Sequence, residues 1–103
     1  MDVEEQEKYK NFLKYSRGTK NTVERELTRY KEIKFENVSQ ERILLCIRML
    51  IKSLIDIHVN ESILQIGRVD YTGFDYMGLE KEIREKYNIP DSIPSILPKV
   101  HPK

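Results

Sequence analysis

The pattern of apolar and polar residues is clearest over residues 39–59, SQERILLCIRMLIKSLIDIHV, and it predicts one long helix. At about 100° per residue, the apolar side chains fill a continuous half of its circumference. Ser39 is suited to cap the start of this helix, and Asn60 to end it, since Asn tolerates the left-handed conformation. A helix that is apolar over half of its surface needs more than one neighbour, so this segment predicts the centre of the fold.

Among the apolar residues of this helix that fall outside the apolar half, two are large and lie one turn apart. Leu45 and Met49, one turn apart, lie on the charged side, beside Arg48 and Lys52. Either a second layer of this chain or a partner must cover them. We therefore predict a partner-binding surface at these four residues.

Two more helices are predicted before the central one. Residues 3–15 carry a narrow apolar stripe, and Gly18 is expected to stop that helix. Asn21 then caps a helix over residues 22–34, with Glu24 at the spacing of a capping box. Three helices joined by short turns predict a compact helical unit.

The pattern changes after the central helix. Residues 63–71, ILQIGRVDY, fit a short strand, an irregular segment or an extra helical turn, and periodicity does not separate these three. A tandem pentad follows, DYTGF then DYMGL, which predicts consecutive turns. Residues 77–87 predict a last helix, ended by Asn88 and Pro90.

The tail has proline at every fourth position from residue 90 to residue 102, which excludes a helix and predicts an extended segment. Its apolar side chains are expected to lie on the core or in a partner's groove, so Ile93 and Leu97 join the predicted partner surface. The predicted fold is thus mainly α. It is a compact bundle of about four helices, forming a single domain over residues 1–89, followed by a proline-punctuated tail over residues 90–103.

Composition narrows the functional classes. The 103 residues predict one domain, and a net charge of +1 gives no global attraction to nucleic acid. The N-terminus lacks the apolar region of a signal peptide, and three charges interrupt residues 39–59, so neither secretion nor a membrane span is expected. With one cysteine, Cys46, no internal disulfide forms, which indicates an intracellular location, either cytoplasmic or nuclear.

Candidate chemistry is sparse. His58 and His101 lack the partner ligands that a metal site needs, and Cys46 lies on the apolar face of the central helix. Asp70 and Asp75 fit turn chemistry better than acid–base work. The glycines match no phosphate-binding loop. We therefore expect no enzymatic activity, cofactor, metal or small-molecule substrate.

A basic region offers a binding alternative. Its cations lie around the predicted turn after residue 15, where Thr19 and Asn21 could contact phosphates. The interleaved glutamates are also typical of a solvated charged face. The candidate nucleic-acid-binding residues are Lys14, Arg17, Lys20, Arg25 and Arg29.

Part of the same region resembles a known family. Phe12-Leu13 followed by RGTKNTV at residues 17–23 looks like the opening of the helical core-binding domain of tyrosine recombinases, whose arm clamps DNA. The resemblance covers about a dozen residues and implies contact with DNA. The chain lacks one residue of that motif after Gly18, has Glu26 where the family usually has Tyr, and contains no catalytic domain.

These patterns favour a non-enzymatic helical interaction module. Such a protein would be a small subunit or adaptor of a larger assembly, or a homodimer. The alternative is a DNA- or RNA-binding module that uses the basic region. An accessory protein of a virus or mobile element is a third interpretation, which the absence of alanine permits.

Overall fold

The computed structural model describes residues 1–96. Three α-helices make up most of this part of the chain: α1 (Val3–Ile33), α2 (Gln40–Ile66) and α3 (Leu79–Tyr87). No strand occurs among these residues. The prediction of a mainly helical fold is confirmed, but the predicted bundle of four helices is not observed, because the first two predicted helices are one.

The predicted break after residue 15 is wrong, since α1 runs through Gly18 and Asn21 without interruption. The residue that caps α1 is Asp2 and not Asn21; its carboxylate accepts a hydrogen bond from the backbone N–H of Glu5 at 2.8 Å. A glycine within a helix costs only about 1 kcal/mol. The free energy that α1 gains by packing against α2 along most of its length exceeds that cost. The buried residues of α1 keep one register across the glycine: Leu13, Ser16, Val23, Leu27 and Tyr30.

The central helix is longer than predicted. Ser39 caps α2 as expected, accepting from the N–H of Arg42 at 3.3 Å. The expectation that Asn60 ends the helix is wrong, because its side-chain amide donates to the carbonyl of Asp56 one turn earlier. The helix ends at Gly67, whose φ of 77° is left-handed. Of the three alternatives for residues 63–71, an extra helical turn is therefore the one observed up to residue 66.

Helices α1 and α2 form an antiparallel hairpin around the hydrophobic core. A sharp corner at Lys34, with φ 77°, leads into one 3₁₀ turn (Phe35–Asn37), and Phe35 is buried there. The core lies in the half of the hairpin nearest this corner. Its fully buried side chains are Leu27, Ile43, Ile47 and Leu50.

A second layer covers one face of this core. Helix α3 begins after a 3₁₀ turn (Tyr76–Gly78) and ends at Asn88 in the left-handed conformation, as predicted. After it, the N–H of Ile93 donates to the carbonyl of Pro90, so the tail opens with a turn rather than a purely extended run. The molecule is only 19 Å across its shortest axis, which corresponds to about two helix diameters. Within residues 1–96, no second layer lies on the opposite face of the hairpin.

Candidate functional site

The uncovered side of the hairpin carries large apolar side chains. Tyr15 is 78% exposed and Leu45 55%, while Met49 is 39% exposed and Phe12 45%. We call these four residues the hairpin face. Tyr15 and Met49 line one cleft between the two helices, and the other residues of its wall are Asn11, Lys14, Gly18, Thr19, Thr22 and Val23. Because most of these side chains are small or apolar, the cleft fits an apolar group better than a charged one.

Local sequence explains why this cleft forms. Met49 follows Leu45 by one turn, so both project from the same side of α2. On α1, Gly18 has no side chain, and a Cβ added there would meet nothing within 4 Å. The bulky Tyr15 stands one turn away. The result is a projection and a depression side by side on one surface.

The predicted partner surface on α2 divides into two parts. Arg48 and Lys52 do not border the cleft of Met49; they line a second groove, on the side of α2 where the tail passes. The floor of that groove is apolar, formed by Ile51, Ile55 and Ile96. The pattern on the helix identified exposed positions, but it did not show that they serve two separate surfaces.

The tail residues of the predicted partner surface have different places. Ile93 is 8% exposed and belongs to this chain's own core cluster, together with Ile89. Leu97 lies outside the described residues. Ile93 therefore anchors the tail to the second layer, and its side chain offers almost no surface to a partner.

A buried carboxylate holds the tail in this position. Glu80 on α3 accepts hydrogen bonds from Arg84 at 3.2 Å, from the hydroxyl of Ser95 at 2.9 Å and from the backbone N–H of Ile96 at 3.0 Å. Arg84 also donates to the carbonyls of Ile93 and Pro94. Burial alone raises the pKa of Glu80, but these hydrogen bonds outweigh it and keep that pKa below its ordinary value.

An aromatic cluster on the second layer was not identified from the sequence. The ring of His58 stacks on Phe74 at 4.1 Å, Tyr71 lies 6.0 Å from His58, and Tyr76 lies 5.9 Å from Tyr71. The Nε2 of His58 donates to the carbonyl of Asp70, which attaches the loop to α2. The sequence feature that could have indicated this cluster is the tandem pentad, because it places a tyrosine after each aspartate.

The turn chemistry predicted for the two aspartates is observed. The carboxylate of Asp70 accepts from the N–H of Thr72 at 2.9 Å, and that of Asp75 accepts from the N–H of Gly78 at 3.0 Å. Hydrogen bonds from Thr72 hold the pKa of Asp70 below its ordinary value. Both carboxylates therefore shape the loop between α2 and α3.

The basic residues lie along α1 rather than on a turn. Three of the five candidates pair with glutamates: Arg17 with Glu61 at 2.8 Å, Lys20 with Glu24 at 3.3 Å and Arg29 with Glu26 at 2.8 Å. For Lys14 and Arg25, no ion pair is found within residues 1–96. Two of these pairs are exposed and the Lys20–Glu24 pair is half-buried, so each is worth little energy, but together they reduce the local positive charge.

Groups with catalytic potential are few in the part of the chain that the structure describes. Burial raises the pKa of the Cys46 thiol, which disfavours the reactive thiolate. No cluster of three or more His, Cys, Asp or Glu suited to a metal ion occurs in residues 1–96. His58 is taken up by stacking and by its hydrogen bond to the loop, and His101 lies outside the described residues.

Comparisons with protein-family models, with curated proteins and with solved structures return no match for this chain. None of the helices within residues 1–96 combines the length and the apolar character needed to cross a membrane.

Proposed function

We propose that this chain is a non-enzymatic protein-interaction module that works as a small subunit or adaptor, or as a homodimer. The observation that carries this proposal is the hairpin face, where Tyr15 and Met49 line one cleft and Leu45 is exposed one turn from Met49. Contiguous apolar surface of this kind is typical of docking sites, whereas single exposed apolar residues are not.

The architecture supports the same conclusion. The second layer of α3 and the tail covers one side of the hairpin, and nothing within residues 1–96 covers the other. Aromatic and methionine side chains are enriched at protein interfaces, because they bury large areas with few polar atoms. The buried thiol of Cys46 supports an intracellular location, where thiols remain reduced.

Site-specific photo-crosslinking in the native host tests this proposal. A photoreactive amino acid at position 45, one turn from Met49, should give a discrete crosslinked protein band. The matched control places the same probe at position 76, which is similarly exposed but lies on the second layer. Equal labelling from both positions, or none from position 45, would contradict a docking role for the hairpin face.

The rival candidate is nucleic-acid binding by α1. Because α1 is continuous, Lys14 and Arg25 lie about three turns apart on one side of it, with Arg17 between them along the helix. Such a row of cations can follow a phosphate backbone. Lys20 and Arg29 extend the set. This mode predicts binding to DNA or RNA that weakens steeply with salt.

Fluorescence anisotropy with labelled DNA and RNA distinguishes this rival. Charge reversal at Arg25, which makes no ion pair among the described residues, should reduce affinity several-fold while leaving the fold intact. Reversal at Lys81, on α3, is the control. The absence of any anisotropy change at low salt would remove the candidate.

A further inference from the structure

We propose that the occupant of the hairpin face is a second copy of this chain, packed through antiparallel contact of the two α1 helices. The proposal rests on the proposed function, since it requires that this face be a docking surface. It goes further by naming the partner and the register.

The shape of the face is complementary to itself. A twofold interface brings the same patch together from both molecules, so the patch must contain both a projection and the depression that receives it. Tyr15, which is 78% exposed, is the projection, and the depression is the cleft that Gly18 lines, where an added Cβ would meet only open space. Both residues lie on one side of α1. In an antiparallel crossing, each Tyr15 enters the depression of the other copy.

Gly18 has no evident purpose within the monomer. Its backbone is helical and needs no positive φ, and no neighbouring group approaches so closely that a side chain is excluded. A helical glycine at an exposed position costs about 1 kcal/mol relative to alanine. Close approach by a second helix is a physical reason for a glycine at such a position.

Near both ends of the crossing, charged residues of one copy face residues of opposite charge in the other. The register that sets Tyr15 opposite Gly18 sets Glu4 opposite Arg29 and sets Lys8 one residue from the level of Glu26. On a helical projection these residues lie within roughly a quarter of the circumference of α1, around Tyr15. Each contact therefore joins opposite charges, and the twofold axis makes each contact twice. Opposite charges at this spacing specify the antiparallel register and disfavour a parallel one.

The apolar residues of α2 complete the interface. Met49 borders the same cleft, and Leu45 lies one turn further towards the corner of the hairpin. Two hairpins that meet on this face bury their apolar surface between them, as in a four-helix bundle. This arrangement gives the hairpin the layer that it lacks as a monomer.

Light scattering coupled to size-exclusion chromatography, over a range of protein concentrations, tests the proposal. The full chain should show a concentration-dependent rise from its monomer mass of 12.3 kDa to twice that value. Gly18→Gln fills the depression with a good helix former. It should weaken dimerisation tenfold or more without lowering the melting temperature measured at the dilute, monomeric limit. Tyr76→Gln, on the second layer, is the matched control and should leave dimerisation unchanged.

A charge-reversal cycle tests the register. Glu4→Arg and Arg29→Glu should each weaken the dimer several-fold, and the double variant should recover most of the loss. A monomer at every concentration would overturn this inference, as would a dimer insensitive to Gly18→Gln. If the chain is monomeric but the probe at position 45 crosslinks a different protein, this inference fails while the proposed function stands. If that probe crosslinks nothing either, both fail.

Discussion

The carboxylate of Glu80 accepts a hydrogen bond from the backbone N–H of Ile96, sixteen residues later, at 3.0 Å. This contact ties the last described residue to the first turn of α3. It also places Ile96 in the lining of the groove of α2. A single buried carboxylate thereby fixes the side of the hairpin on which Ser95 and Ile96 lie.

Replacing Glu80 with Ala should lower the free energy of unfolding by about 2 kcal/mol, because charged hydrogen bonds are lost and Arg84 loses its partner. Urea unfolding followed by circular dichroism measures this difference. Glu85→Ala, which removes an exposed carboxylate on the same helix, is the control and should change stability by less than about 0.5 kcal/mol. Equal effects of the two substitutions would show that the Glu80 contacts do not hold the tail.

The same carboxylate predicts a dependence of stability on pH. The pKa of Glu80 in the folded chain lies below its ordinary value of 4.5, so the folded state binds the proton less tightly than the unfolded state does. Its stabilising contribution is therefore fully present above pH 4.5 and is lost as the pH falls through the folded pKa. Thermal melts from pH 7 downward should show a shallower acid-side decline for Glu80→Gln than for the parent chain. Identical slopes would contradict this assignment.

Substitution by alanine should change stability in opposite directions at two of the glycines. At Gly67 the φ of 77° is left-handed, so a Cβ introduces strain, and Gly67→Ala should destabilise by roughly 1–2 kcal/mol. At Gly18 the backbone is helical with free space around it, so Gly18→Ala should stabilise the dilute monomer by up to about 1 kcal/mol. Chemical denaturation at one low protein concentration compares them directly. Changes of the same sign would be inconsistent with these conformations.

His58 should control the order of the loop between α2 and α3. His58→Ala removes the stack on Phe74 and the donor to Asp70, so the backbone amide of Phe74 should exchange its hydrogen roughly tenfold faster. Exchange followed by NMR measures this. His58→Phe is the matched variant, since it keeps an aromatic ring but has no donor, and it should restore part of the protection. Full protection in the alanine variant would mean that other contacts position the loop.

Cys46 should be protected from thiol reagents. It is buried, and burial raises its pKa, so little thiolate is present near neutral pH. Reaction with a chromogenic disulfide should be slow in buffer and should become fast at the urea concentration where the chain unfolds. A fast reaction in buffer, with unchanged circular dichroism, would show that the thiol is accessible in the folded chain.

Helix α1 is one helix where the sequence predicts two. Gly18 and the capping signal at Asn21 indicated two helices. The buried residues Leu13, Val23 and Leu27 nevertheless lie on one face of a continuous helix, ten and four residues apart. Separate helices have no reason to share a register across their junction. The packing of this face against α2 outweighs the local effect of the glycine.

Other features depended on contacts that no local pattern contains. Asn60 resembles a helix terminator, but it lies buried beside α1 and bonds to its own helix. Ile93 resembles a docking residue, yet it packs in the core cluster with side chains of α1 and α2. In both cases the outcome was set by a neighbouring element distant in the chain.

By itself, the sequence determined the helical class, the buried face of α2, its cap at Ser39 and the end of α3 at Asn88. These follow from periodicity and from hydrogen bonding within a few residues. Only the tertiary structure decided that α1 is a single helix, that α3 and the tail cover just one side of the hairpin, and that Tyr15, Leu45 and Met49 remain exposed on the other. Those features depend on which surfaces meet, and the free energy of burial comes from residues far apart in the chain.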